Sequence, residues 1–152
     1  MLRARFTDAL KEAMKARDER TTSTLRMVLA GLKNRDIAVR EKGVTDGIPD
    51  GEIAQLLQGM IKQRRESIEL YEKGGRAELA QQERDEIAVI EKFLPKQLDA
   101  AAAEEAIKAV IAETGAASVK DMGKVMAALK AKFAGQLDLA AAGPIAKRLL
   151  GG

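Results

Sequence analysis

The sequence has no cysteine, no histidine and no tryptophan among its 152 residues. Disulfides, thiolate metal sites, cysteine nucleophiles and imidazole acid–base chemistry are thereby excluded. Only Phe6, Tyr71, Phe93 and Phe133 are aromatic. A core must therefore be built from Leu, Ile, Val, Met and Ala, a set that favours closely packed helices over a sheet. No apolar run approaches the roughly 18 residues that a membrane helix needs, and no stretch alternates with period two over any length. The start, MLRARFTDALKEAMKARDE, is too charged for a secretory signal. With the lack of cysteine, this points to a cytoplasmic protein with no membrane contact.

What is present suits a folded protein: 46 % of the residues are apolar and 32 % charged. The length allows one domain of typical size or two small ones. The net charge of +3 is unevenly placed, with 20 basic and 21 acidic groups over residues 1–114. Residues 115–152 carry Lys120, Lys124, Lys130, Lys132, Lys147 and Arg148 against only Asp121 and Asp138. A basic tail of this kind suggests an anionic partner, set against the simpler reading of a solvated helix surface.

Apolar spacing predicts seven helices. The first carries Leu2, Phe6, Leu10 and Met14 and runs out near residues 17–20. The hydroxyls of TTST, residues 21–24, are expected to cap a second helix carrying Leu25, Val28, Leu29 and Leu32. Asp50 is the expected cap of a third, which Gly74 and Gly75 end. The fourth runs from about residue 76 to 94, with Leu79, Ile87, Ile90, Phe93 and Leu94 buried, and Pro95 stops it. Beyond the junction PKQLD a fifth helix spans 98–114. Ser118 and Asp121, in capping-box spacing, open a sixth bearing Val119, Met122, Val125, Met126, Leu129 and Phe133. A short seventh is expected near the end, with Pro144 in its first turn. The fold class is all-α: a four-helix N-terminal domain over 1–95, then a small three-helix domain over 96–152.

Few residues offer chemistry. MGKV, residues 122–125, resembles the end of a phosphate-binding loop, but Ser118 stands where that motif needs glycine and Val125 where it needs Ser or Thr. Glu104–Glu105 and the Glu83, Asp85, Glu86 group lie on predicted helix surfaces, with no nucleophile beside them. No catalytic residue, metal site or cofactor is predicted. KQRRES, residues 62–67, reads as a solvated face with Lys62–Glu66 and Arg65–Glu69 pairs along the helix. Arg64, on the side of Ile61 and Ile68, lays its stem over the apolar face.

KDMGKVM, residues 120–126, poses the sharpest question. Gly123 inside a helix costs about 1 kcal/mol relative to alanine. Either a neighbouring element packs closely there, or a ligand approaches. Four scattered rings make no stacking platform for single-stranded RNA, so an RNA ligand would be a folded one, gripped by its phosphates.

STLRMVLAGLKN, IKQRRESIELYEKGGRAELAQQERDEIAVIEKFLPKQL and GAASVKDMGKVMAALKAK resemble the YqeY family. That family is similar in fold to the helical and tail domains at the C-terminus of the B subunit of the tRNA-dependent amidotransferase. The resemblance covers nearly the whole chain. VTDGIPDGE and the closing DLAAAGPIAKRLL depart from the family pattern by their added glycine and proline. The resemblance implies a non-catalytic tRNA-binding module, accessory to tRNA-dependent amidotransfer with glutamine as amido donor. By similarity Lys120, Gly123 and Lys124 face the RNA, and charge adds Lys130, Lys132, Lys147 and Arg148. Two alternatives stand beside it: a protein-interaction module docking on a synthetase or amidotransferase, and a carbon–nitrogen ligase activity of the amidotransferase type. The polar faces suggest a monomer.

Overall fold

A computed structural model describes residues 1–151. Among them are seven α-helices and no strand: α1 (Leu2–Lys15), α2 (Glu19–Arg40), α3 (Asp50–Lys73), α4 (Ala77–Glu91), α5 (Ala100–Thr114), α6 (Met122–Phe133) and α7 (Leu139–Leu149). A single 3₁₀ turn, Val119–Asp121, leads into α6. The all-α expectation is met. The chain divides into two compact units, Met1–Leu94 and from Pro95 onward.

In the first unit α3 packs along α4, and α2 touches α1, α3 and α4. Phe6, Leu25, Val28, Ile53, Leu57 and Ile90 form the fully buried centre. The two phenylalanines that reach this core meet edge to face, Phe6 and Phe93 having ring centroids 4.9 Å apart. The Arg5 guanidinium lies 5.3 Å from the Phe93 ring centre. Such contacts add about 0.5–1.5 kcal/mol each beyond the area they bury.

Several local expectations change. The second helix is capped by Asp18, whose side chain accepts from Thr21 N at 3.0 Å. The TTST hydroxyls fall inside its first turns: Thr22 and Thr24 donate back to the carbonyls of Asp18 and Arg20. An acid one turn earlier makes the stronger cap because its charge also suits the helix dipole. Asp50 is the first residue of α3, not its cap, and its carboxylate instead receives Leu2 N at 3.3 Å. Leu79 is exposed.

Charge enters the interior of this unit, against the surface reading of its acids. Arg64 is 6 % exposed and Glu86 8 %, and Arg64 Nε donates to Glu86 at 2.9 Å. Glu83 lies 3.8 Å from the same nitrogen. Arg65 pairs with Glu91 of α4, at 3.6 Å, rather than along its own helix. A second tie holds the α2–α3 connection. Arg3 grips Asp36 with both terminal nitrogens, and Ile48 is sewn to the pair through its N–H and C=O. Gly47 beside it has φ +82°, and a Cβ there would meet Arg3 and Asp36 closer than 3.0 Å. Only glycine fits that turn.

The second unit is a small bundle in which α5, α6 and α7 touch one another pairwise. Ile107, Val110, Val125, Leu129, Leu137, Ala142 and Ala146 are buried in it. Asp99 caps α5 through Ala102 N at 2.7 Å, and Gly115, at φ +67°, ends it in the left-handed conformation. Pro144 is the sixth residue of α7, not in its first turn. The helix instead begins at Leu139, capped by Asp138, whose carboxylate accepts from Ala140 N. Gly143 stands just before the proline, where a Cβ would crowd the ring.

Candidate nucleic-acid interface

The region around Gly123 is built from a cap. Asp121 reaches back to accept from Ala117 N at 2.9 Å and Ser118 N at 3.3 Å, forming a capping box with Ser118. These two bonds hold its carboxyl below the ordinary aspartate range. The box opens the 3₁₀ turn, so Lys120 sits on that turn and not on α6, where the sixth helix was expected to open after Ser118.

Gly123 lies on the first turn of α6, exposed, with ordinary helical backbone. A Cβ placed on it meets nothing within 4 Å. Neither backbone conformation nor packing within the chain requires glycine here, which removes one of the two explanations its sequence raised. Ala127 and Ala131, at four-residue intervals, continue the same exposed strip. Lys124 and Lys130 stand three residues either side of Ala127, which puts them about 60° to each flank and about 9 Å apart along the axis. Val125 and Leu129 face the opposite way, fully buried. The result is a bare backbone ridge between two cations.

The six cations predicted to face RNA separate into two groups. Lys120, Lys124, Lys130 and Lys147 are exposed and make no ion pair among the described residues. Lys132 is bound by Glu113, and Arg148 by Glu104 at 3.2 Å. Those two cations face α5 and are already partly neutralised, so they are not brought together with the ridge. Sequence reading missed the small residues Ala127 and Ala131, although their spacing from Gly123 carried the signal. It also missed the acids of α5 as partners. Their place opposite α6 depends on how three helices pack, which no local spacing encodes.

The chain is thus an all-α protein of two compact units, one of which carries a small-residue ridge between lysines. The chain belongs to the YqeY-like family, whose pattern matches residues 3–150. Among curated proteins it is 35 % identical over 107 residues to the altered inheritance of mitochondria protein 41 of Eremothecium gossypii, covering 66 % of this chain and 56 % of that one. The protein of the same name from Lachancea thermotolerans is 34 % identical over 85 residues, covering 56 % and 43 %. That of Candida glabrata is 31 % identical over 96 residues, covering 63 % and 50 %. The chain thus spans about half the length of these relatives.

The relatives are named as mitochondrial proteins, which overturns the cytoplasmic assignment. The error has a physical source. Lack of cysteine and a charged, polar surface describe a chain suited to any aqueous compartment, and composition does not distinguish among them.

Proposed function

We propose that the C-terminal unit binds a folded RNA, tRNA in the first instance, through its phosphates, and that the chain serves as a non-catalytic accessory to tRNA-dependent amidotransfer. The observation that supports this most directly is Gly123: an exposed glycine with open space around it, placed where its absent side chain leaves the backbone approachable between Lys124 and Lys130. A sugar-phosphate strand lying along Gly123, Ala127 and Ala131 would meet Lys120, Lys124 and Lys130 as phosphate partners. Lys132 and Arg148 contribute less, because Glu113 and Glu104 hold them. Of the carboxylates considered for acid–base work, Glu86 is occupied by Arg64, and Glu104 by Lys108 and Arg148.

The test is tRNA binding by the purified chain over a salt series, beside the Lys120→Glu/Lys124→Glu variant. Three duplex-type phosphate contacts give a log–log slope of about −2.7. Both lysines are exposed, so the variant is expected to keep its fold, as circular dichroism would verify, and to lose binding. Salt-insensitive affinity, or a folded variant that binds like the wild type, would overturn the RNA reading. The same small-residue ridge can accept a partner helix. Nuclease-resistant capture of an amidotransferase or synthetase, unaffected by the charge reversals, would move the function to protein docking.

A further inference from the structure

The outer side of α2 carries a row of residues that neither the core nor the RNA reading uses. Ser23, Met27, Ala30, Asn34 and Ile37 recur at alternating steps of four and three, and all five are exposed. Those steps are the seam of a coiled coil. Leu25, Val28 and Leu32 of the same helix are buried on its opposite side, so the seam faces away from the bundle. Two of its members are large and apolar, Met27 and Ile37, each 46 % exposed. Each borders a hollow: one of about 280 Å³ at Ile37, walled by Leu29 and Leu32, and one of about 400 Å³ at Met27, beside Met60. One flank of the seam bears a single sign of charge. Arg26, Lys33 and Arg40 follow one another at seven-residue steps, about 10.5 Å apart along the axis, and all are exposed. None of these side chains makes an ion pair or hydrogen bond among the described residues. The only acid between residues 26 and 40, Asp36, is taken by Arg3. The other flank, Gly31 and Ala38, is small and uncharged.

We propose that this face of α2 docks an acidic amphipathic helix of a partner protein, its apolar side chains against Met27, Ala30 and Ile37 and its carboxylates along Arg26, Lys33 and Arg40. The hollows at Met27 and Ile37 receive the knobs that such a helix presents at the same steps. Gly31 and Ala38 let its backbone come close, and Asn34, a polar residue within the seam, fixes the register. Burial of the apolar side chains supplies the affinity, while the cation row selects the partner by charge. The row also argues against a second copy as the occupant. An antiparallel pair would set the cations of one α2 against those of the other, and a parallel pair would set them against Gly31 and Ala38, with no carboxylate in either case. A phosphate strand would answer the cations but would leave Met27 and Ile37 without an apolar counterpart. The site lies on the first unit, apart from the lysines of α6, so it stands or falls independently of the RNA reading.

The experiment is a titration of the full chain, labelled at its methionine and isoleucine methyls, with a synthetic helical peptide of three heptads, read by NMR. The peptide has Leu at both seam positions and Glu at both flanking positions, and its control has Lys in place of Glu. Saturable shifts of the Met27 and Ile37 methyls are expected with the acidic peptide alone. Met14, 51 % exposed but on α1, should stay still. Lys33→Glu should weaken the acidic peptide about tenfold and Ile37→Glu at least as much, whereas Lys120→Glu/Lys124→Glu should leave it unchanged. Both α2 positions are exposed, and the Lys33 variant keeps the test open if the Ile37 variant folds poorly. Absence of saturable shifts, equal shifts with the basic peptide, or unchanged binding by both α2 variants would overturn the site. Shifts of the same methyls on concentrating the protein alone would give the face to a second copy, and tighter binding of tRNA than of the peptide at these methyls would give it to RNA; either would overturn the proposal.

Discussion

The two units solve the same problem, packing helices with almost no aromatic residues, but they place charge differently. The first unit takes one ion pair inside, Arg64 and Glu86 being buried together, and holds the Ile48 turn with a partly exposed one, Arg3 and Asp36. The second keeps charge outside: its interior is Ile, Val, Leu and Ala, and its ion pairs lie on exposed or half-exposed side chains. Buried ions fix one arrangement of neighbours, at a desolvation cost that must be matched. Exposed ions leave stability nearly alone and remain available to a ligand. The first unit is thus where charge changes break the fold, and on the proposed reading the second is where they report on binding.

The largest effect should come from separating the buried pair. Arg64→Met leaves Glu86 buried beside Glu83 with no cation and should cost about 3 kcal/mol. Arg64→Met/Glu86→Leu should recover most of that loss. Lys132→Met, which breaks an exposed pair of the second unit, should cost less than about 1 kcal/mol. Urea denaturation of the three variants checks the order. A loss for Arg64→Met as small as that for Lys132→Met would erase the distinction between the units.

A middle effect belongs to the turn at Ile48. The two Arg3 hydrogen bonds, with the Ile48 N–H, hold the Asp36 carboxyl below its ordinary range. A depressed carboxyl contributes stability that is fully present above its unfolded value, near 4, and is lost as the pH falls through the folded one. Asp36→Ala should cost about 2 kcal/mol at neutral pH, and the difference from wild type should shrink on acidification. Glu83 runs the other way. Burial, and then the neighbouring Glu86, push its carboxyl up, so it costs stability once ionised, and Glu83→Gln should stabilise at neutral pH with a gain that fades in acid. Melting curves from neutral to acidic pH distinguish the two signs.

These contrasts show what could be read from the chain. Helix number and the glycine stop at 74–75 follow from periodicity and breakers, which are local. Asp18 was missed as a cap because TTST offered four hydroxyls in a row nearby, and its acid outcompetes them by charge. Pro144 was placed in a first turn because proline is costly inside a helix, yet Asp138 starts α7 earlier and Gly143 relieves the crowding. Arg64 was read correctly as lying on the apolar face. Its partner on α4 was not, since the match of residue 64 with residues 83 and 86 depends on the register of two packed helices. At the candidate interface the residue types were legible and the ion pairs to α5 were not, for the same reason.

The smallest effect bears most on function. Alanine at position 123 meets open space and relieves the helix of glycine's backbone entropy, so Gly123→Ala should stabilise the second unit by about 1 kcal/mol. A natural chain can retain a destabilising residue where the stable one would interfere with something else. On the proposed reading, that something is the approach of a phosphate strand to the α6 backbone between Lys124 and Lys130. Gly123→Ala should then melt higher and bind tRNA more weakly, with Gly123→Leu weaker still at unchanged net charge. Because the lysines are intact in both variants, a loss of affinity would come from distance alone, which separates close approach from mere attraction to a basic helix. Stabilisation without any loss of binding would leave the cations as the whole of the interface and the glycine outside it.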